Sequence, residues 1–129
     1  MVTLENPGAA ITGAPARFGG AALWNLGGLG VRAMAWSDGH GAVLVVAGPH
    51  AGGGPFRLYR WSGDLAALPV LVADLSAPAS SAPEAIVVYP GTRDVQITFD
   101  QGDADAGGTP CKLATRLARS FTDVIVHVE

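Results

Sequence analysis

One lysine (Lys112) and one cysteine (Cys111) stand in 129 residues, and charged side chains make up only 15% of the chain. Each scarcity excludes something. A surface that neutralises a phosphate backbone carries clustered Lys and Arg. Here the Arg residues are scattered and the net charge is −3, so no nucleic acid is expected as a partner. A basic membrane-binding face is excluded on the same ground. A lone cysteine forms no internal disulfide, zinc ribbon or redox pair. No apolar run approaches the roughly 20 residues of a membrane helix. Residues 1–8 carry neither the basic region nor the apolar core of a leader, so the expectation is a soluble, cytoplasmic chain.

What is abundant is apolar surface. The hydrophobic set reaches 49% before 18 glycines are counted, against about 45–50% with glycine included in typical domains. That is more than a chain of this length easily buries, so self-association is expected.

Short strand-like runs punctuate the chain: 42–47 (AVLVVA), 56–61 (FRLYRW), 70–74 (VLVAD), 85–89 (AIVVY), 95–99 (VQITF) and 124–128 (VIVHV). Weaker runs are 21–26 (AALWNL) and 32–36 (RAMAW). Most are rich in β-branched and aromatic types. Turn sequences separate them, among them SDG at 37–39, SGD at 62–64 and PGT at 90–92. This spacing predicts antiparallel β structure and no βαβ units.

Residues 32–75 superpose on 84–128, with an offset of 52 early and 54 to 55 later. The superposition sets Arg32 on Glu84 and the 42–46 run on 94–98. It also sets 56–58 on 111–113, and 70–74 on 124–128. A four-strand unit repeating at about 50 residues is the signature of a propeller blade. The predicted fold is therefore all-β, with two four-stranded antiparallel propeller-type blades completed by oligomerisation. Residues 1–129 form one domain: an N-terminal segment with one strand (1–31), a first blade (32–76) and a second blade (84–129). Segment 109–119 tests the repeat. Thr109 and Pro110 could open a helix with Leu113 and Leu117 on one face. The strand alternative places Cys111, Leu113, Thr115 and Leu117 on one face, and the repeat favours it.

The stretches 28–36 (GLGVRAMAW), 45–49 (VVAGP), 56–63 (FRLYRWSG), 83–86 (PEAI) and 99–103 (FDQGD) follow one another in a distinctive order. Together they resemble the C-terminal part of the bacterial DUF3616 family, over roughly 27–128. The resemblance implies a propeller-like protein of unknown function and carries over no catalytic residue. The family tends to have a Ser-Asp-Asp-Gly-like turn where this chain has Phe99-Asp100-Gln101-Gly102.

A closed propeller needs about four to eight blades, and two blades leave two open sheet faces. The chain is therefore expected to form a homo-oligomer, a dimer giving four blades or a trimer giving six. Two rival readings are a sandwich of two sheets and a truncated fragment with no independent function.

Candidate sites are sparse. Gly28-Leu29-Gly30-Val31-Arg32-Ala33 matches a loose dinucleotide fingerprint, but the SDG turn follows within a few residues where a helix is required. The glycine-rich loop 48–55 lacks the Gly-Lys-Ser/Thr of a P-loop. Asp100, Asp103 and Asp105 lie close enough in sequence to hold Ca²⁺. An EF-hand starting at Asp103 would need Glu at its twelfth position, which is Ala114. There is no Gly-x-Ser-x-Gly and no His-Glu-x-x-His. His40, His50 and His127 are dispersed, and Cys111 reads as a small buried side chain. Arg32 and Glu84 open the innermost strands of their blades. They are candidates to line a channel, or to pair across the blade interface. Trp36, Tyr59 and Trp61 are expected to pack between blades. The reading that follows is a binding module without catalysis, for a small-molecule ligand or a partner. The alternative is a metal-assisted hydrolase using the acidic loop 100–105 with Glu84.

Overall fold

The computed structural model describes residues 1–50, 54–77 and 81–129. Among the described residues it is all-β, with three antiparallel sheets and none closed into a barrel. The elements are β1 (Val2–Leu4), a short helix α1 (Pro7–Ile11), β2 (Phe18–Ala21), β3 (Gly30–Ser37), β4 (Ala42–Gly48), β5 (Phe56–Trp61), β6 (Val70–Leu75), β7 (Ala82–Val88), β8 (Asp94–Asp100) and β9 (Asp123–His127). β1 and β2 form a small ribbon, β3-β4-β5-β6 the first blade and β7-β8-β9 the second.

The two central strands differ in pattern, and the difference sets the layers. β8 (DVQITFD) alternates strictly: Val95, Ile97 and Phe99 are buried, while Gln96 and Thr98 lie on the opposite face. Such a strand buries one face only. β4 (AVLVVAG) is apolar at successive positions, and all but Val43 are buried. Such a strand is covered on both faces. One face, with Leu44, Val46 and Leu58, packs on Val95, Ile97, Phe99 and Val128 of the second blade in a shared core. The other face, with Val45, Ala47, Tyr59 and Trp61, is covered by Trp24, Leu26 and Leu29. The Trp24 and Trp61 rings meet edge-on, with centroids 5.0 Å apart at 62°.

The blades approach each other most closely along β3 and β7. Toward β6 and β9 they leave a cavity of about 520 Å³ lined by Arg60, Val70, Leu71, Val72, Ala73, His127 and Glu129. Two turns also meet. A Cβ on Gly39 would lie 2.2 Å from the Thr92 carbonyl oxygen, so only glycine fits there.

Four expectations are corrected. The second blade has three strands, since 109–119 forms two 3₁₀ turns at Cys111–Leu113 and Arg116–Ala118. The backbone explains this. Cys111 N–H donates to Ala104 O at 2.8 Å and Lys112 N–H to Gly102 O at 2.9 Å, so the segment folds back on its own loop. β9 then pairs directly with β8, taking the place that β5 holds in the first blade. The N-terminal segment has two strands, not one, and 22–29 is a covering segment. The first blade's outer face is consequently not open. Lastly, Tyr59 and Trp61 pack under that cover and not between blades, while Trp36 is 55% exposed and donates Nε1–H to Asp38 Oδ1 at 2.7 Å.

Candidate functional site at the junction of the blades

In the β3–β4 register Val31 opposes Ala47 and Ala33 opposes Val46, so Arg32 is an extra residue in its strand. In the β7–β8 register Pro83 opposes Phe99 and Ala85 opposes Thr98, so Glu84 is the extra residue there. A bulge bends its strand and re-aims a side chain. Here two bulges at equivalent repeat positions aim Arg32 and Glu84 at each other. Arg32 Nη1 donates to Glu84 Oε1 across the junction.

The guanidinium is held from several sides. Nη2 donates to the Pro49 carbonyl at 2.6 Å. Cζ stands 5.5 Å from the Phe56 ring centroid, a cation–π distance. Gly48 makes room: a Cβ there would lie 2.4 Å from Phe56 and 2.7 Å from Arg32 Nε. Nε is buried with no hydrogen-bond partner among the described residues. The Arg32 side chain is only 15% exposed and that of Glu84 48%. One charge is thus largely desolvated and its counter-charge faces water.

Above the pair opens a cleft of about 290 Å³, lined by Gly30, Val31, Arg32, Gly48, Pro49, His50 and Glu84. Glycines at 30 and 48 leave its walls low, and His50 is exposed at its rim. The remaining acceptor capacity of Glu84 and the imidazole of His50 both border this space. The glycine-rich loop that continues from it, 51–53, lies outside the described residues.

The other candidates are placed apart. Asp100 Oδ1 accepts from Gly102 N–H and Asp105 Oδ1 from Gly108 N–H, both at 2.8 Å. Asp103 pairs with Lys112, and that carboxylate holds the Lys112 ammonium above its usual range, through the hydrogen bond first and the charge second. Each carboxylate of the 100–105 loop thus has a partner within its own loop. Among the described residues no cluster of His, Cys, Asp or Glu is grouped to hold a metal ion. Glu84 is engaged with Arg32, while Asp100 and Asp103 are engaged with Gly102 N–H and Lys112. Cys111 is buried and its thiol donates weakly to Ser120 O at 3.4 Å.

One pairing escaped sequence reasoning. Ser37 Oγ lies 2.6 Å from His40 Nδ1, and His40 Nε2 lies 2.9 Å from the Val128 carbonyl. A carbonyl only accepts, so Nε2 carries a proton. In the neutral ring Nδ1 therefore accepts from the Ser37 hydroxyl. Ser37 is completely buried, so this is a tie from the β3–β4 turn to the chain end and not a nucleophile open to substrate. Spacing alone (Ser, then His three residues on) gave no signal for it.

Comparison with family models, curated proteins and solved structures gives no match. The chemistry of the site is accordingly argued from its own residues. An ion pair that is open on one side can orient a polar molecule.

Proposed function

We propose that this chain is a non-catalytic binding module of the DUF3616-like, propeller-related kind, and that its ligand is a small polar molecule seated on the Arg32–Glu84 pair. The observation that carries the reading is the matched pair of bulges. A bulge is a designed feature that costs ladder hydrogen bonds, and here two of them converge on one open cleft. The cleft presents donors from Arg32 and His50 beside an acceptor from Glu84. A ligand of amino-acid size, with a carboxylate and a donor group, matches both halves, and a volume near 290 Å³ holds such a molecule.

The test is residue-resolved NMR with glycine as the probe at millimolar concentration. Chemical-shift changes are expected at Gly30 to Arg32, Gly48 to His50 and Glu84, and their loss is expected in Glu84→Ala. Shifts confined to other surfaces, or none at all, would refute the assignment.

A further inference from the structure

Sheet edges invite pairing unless something blocks them. Three of the four blade edges here are blocked. β3 and β7 are bulged at Arg32 and Glu84, β7 also contains Pro83, and the two lie against each other. β6 follows Pro69 and is irregular between the partners of Leu58 and Tyr59. β9 is different. It pairs with β8 in unbroken register, Asp94 with His127 through Thr98 with Asp123, and holds no proline, lysine or bulge. It is also the outer strand of the three-stranded sheet.

The groups of β9 that are unpaired among the described residues can be named. Phe99 N–H donates to Thr122 O, and Val128 N–H donates to Arg93 O. Even-numbered residues therefore turn their backbone groups toward β8. Asp123, Ile125 and His127 turn theirs outward.

We infer that β9 pairs antiparallel with β9 of a second copy, about a two-fold axis through Ile125, joining two second blades into one continuous sheet. The sequence of the strand, DVIVH, is self-complementary about that centre. Ile125 meets Ile125 of the second copy, and each Asp123 meets the other copy's His127. All of these are the outward residues, so each exchanges both N–H and C=O with the one opposite. Charge complements as well. His127 Nδ1 already pairs with Asp94 Oδ1 at 2.7 Å, and when the ring carries both protons its Nε2–H is left to donate to the opposing Asp123. On the inner face Val124 and Val126 would extend the shared core. A closed, isologous contact of this kind adds no further edge. It differs from the blade-on-blade stacking expected from the repeat, because one outer face is covered by Trp24 and Leu26, and the other carries a polar ladder of Tyr89, Gln96 and Asp123.

The test is light scattering on the full chain from about 10 μM to about 1 mM, the span in which a contact this small dissociates. The expected result is a concentration-dependent mass rising toward twice 13.1 kDa. Ile125→Lys, at a 64% exposed position, should weaken association at least about tenfold by setting like charges on the axis. Val87→Lys, on the outer face of the same sheet but at its far strand, should leave the mass unchanged. Hydrogen exchange gives a variant-free readout: the amides of Asp123, Ile125 and His127 should become protected as concentration rises. A monomer throughout the range, a dimer broken by Val87→Lys, or outward amides that exchange freely in the dimer would each overturn the inference.

Discussion

Replacing Glu84 by alanine should cost more stability than replacing Arg32 by methionine, although each removes one half of the same ion pair. The asymmetry follows from burial. Arg32 is 15% exposed and Glu84 48%. Removing Glu84 leaves a largely desolvated guanidinium with only the Pro49 carbonyl as partner and its Nε still unpaired among the described residues. Breaking a fully buried pair from one side costs about 3–5 kcal/mol. Because Glu84 is half in water, and water re-enters when its side chain is gone, the expected cost is about 1–2 kcal/mol. Arg32→Met removes the buried charge, keeps an apolar stem against Phe56, and leaves a carboxylate that rehydrates in place, so about 0.5–1 kcal/mol is expected. The double variant should cost less than the sum, with a coupling near 1 kcal/mol. Urea unfolding of the four proteins measures this directly, and thermal midpoints should follow at about 4 °C per kcal/mol for a chain of this length. Equal costs, or a larger cost for Arg32→Met, would mean that the guanidinium is not the desolvated partner.

Gly48→Ala should destabilise by about 1–3 kcal/mol and displace Phe56 and Arg32, since a Cβ there overlaps both; calorimetry and the loss of glycine-induced NMR shifts would register it. His40→Ala should cost about 1–3 kcal/mol in urea unfolding by leaving the buried Ser37 hydroxyl without its partner. Added Ca²⁺ should leave the melting temperature unchanged, because a cation held only by the native state would raise it. The raised pKa of Lys112 means that its link to Asp103 favours folding below the ordinary lysine value of 10.5, and the contribution fades as pH rises through the higher folded value; Asp103→Asn should return the Lys112 titration, followed by NMR, to the ordinary range.

Much of the fold was legible because it depends on local pattern. The strand runs at 42–47, 56–61, 70–74 and 95–99 lie in strands, the 85–89 run does so up to Val88, and the early offset of 52 pairs the bulges at Arg32 and Glu84. The layering was legible too, in the contrast between a uniformly apolar β4 and an alternating β8, although run-by-run reading attends to hydrophobicity before face. What was not legible depends on backbone hydrogen bonding. No residue type announces that Arg32 and Glu84 are bulged, and bulging is what turns them toward each other. Nor does the 109–119 composition reveal where its amides go. Its alternation satisfied a strand template, yet Leu113 and Leu117 are 70% and 99% exposed while Cys111 and Ala114 are buried, a pattern that matches neither the strand face nor the helix face. The covering role of 22–29 was missed for a related reason. Trp24 and Leu26 act as single anchors on a neighbouring sheet, and single anchors carry no period.

The difference between the two repeats lies mainly in this loop, and its consequences reach the edge of the sheet. In the first blade the connection after β4 returns as β5, and β6 completes four strands. In the second, Asp100, Asp105 and the amides of Cys111 and Lys112 are bonded within 100–112, which closes the loop on itself. The next strand, β9, then takes the third position of its sheet. The five residues of this edge strand read as their own complement, which is the feature the proposed pairing of two copies uses. The excess of apolar residues over charged ones, which first pointed to self-association, is therefore not answered by stacking sheet faces. Val45, Ala47, Tyr59 and Trp61 are satisfied by the chain's own N-terminal segment. In the proposed pairing along β9 the register decides the geometry, and the match of Asp123 with the second copy's His127 sets that register.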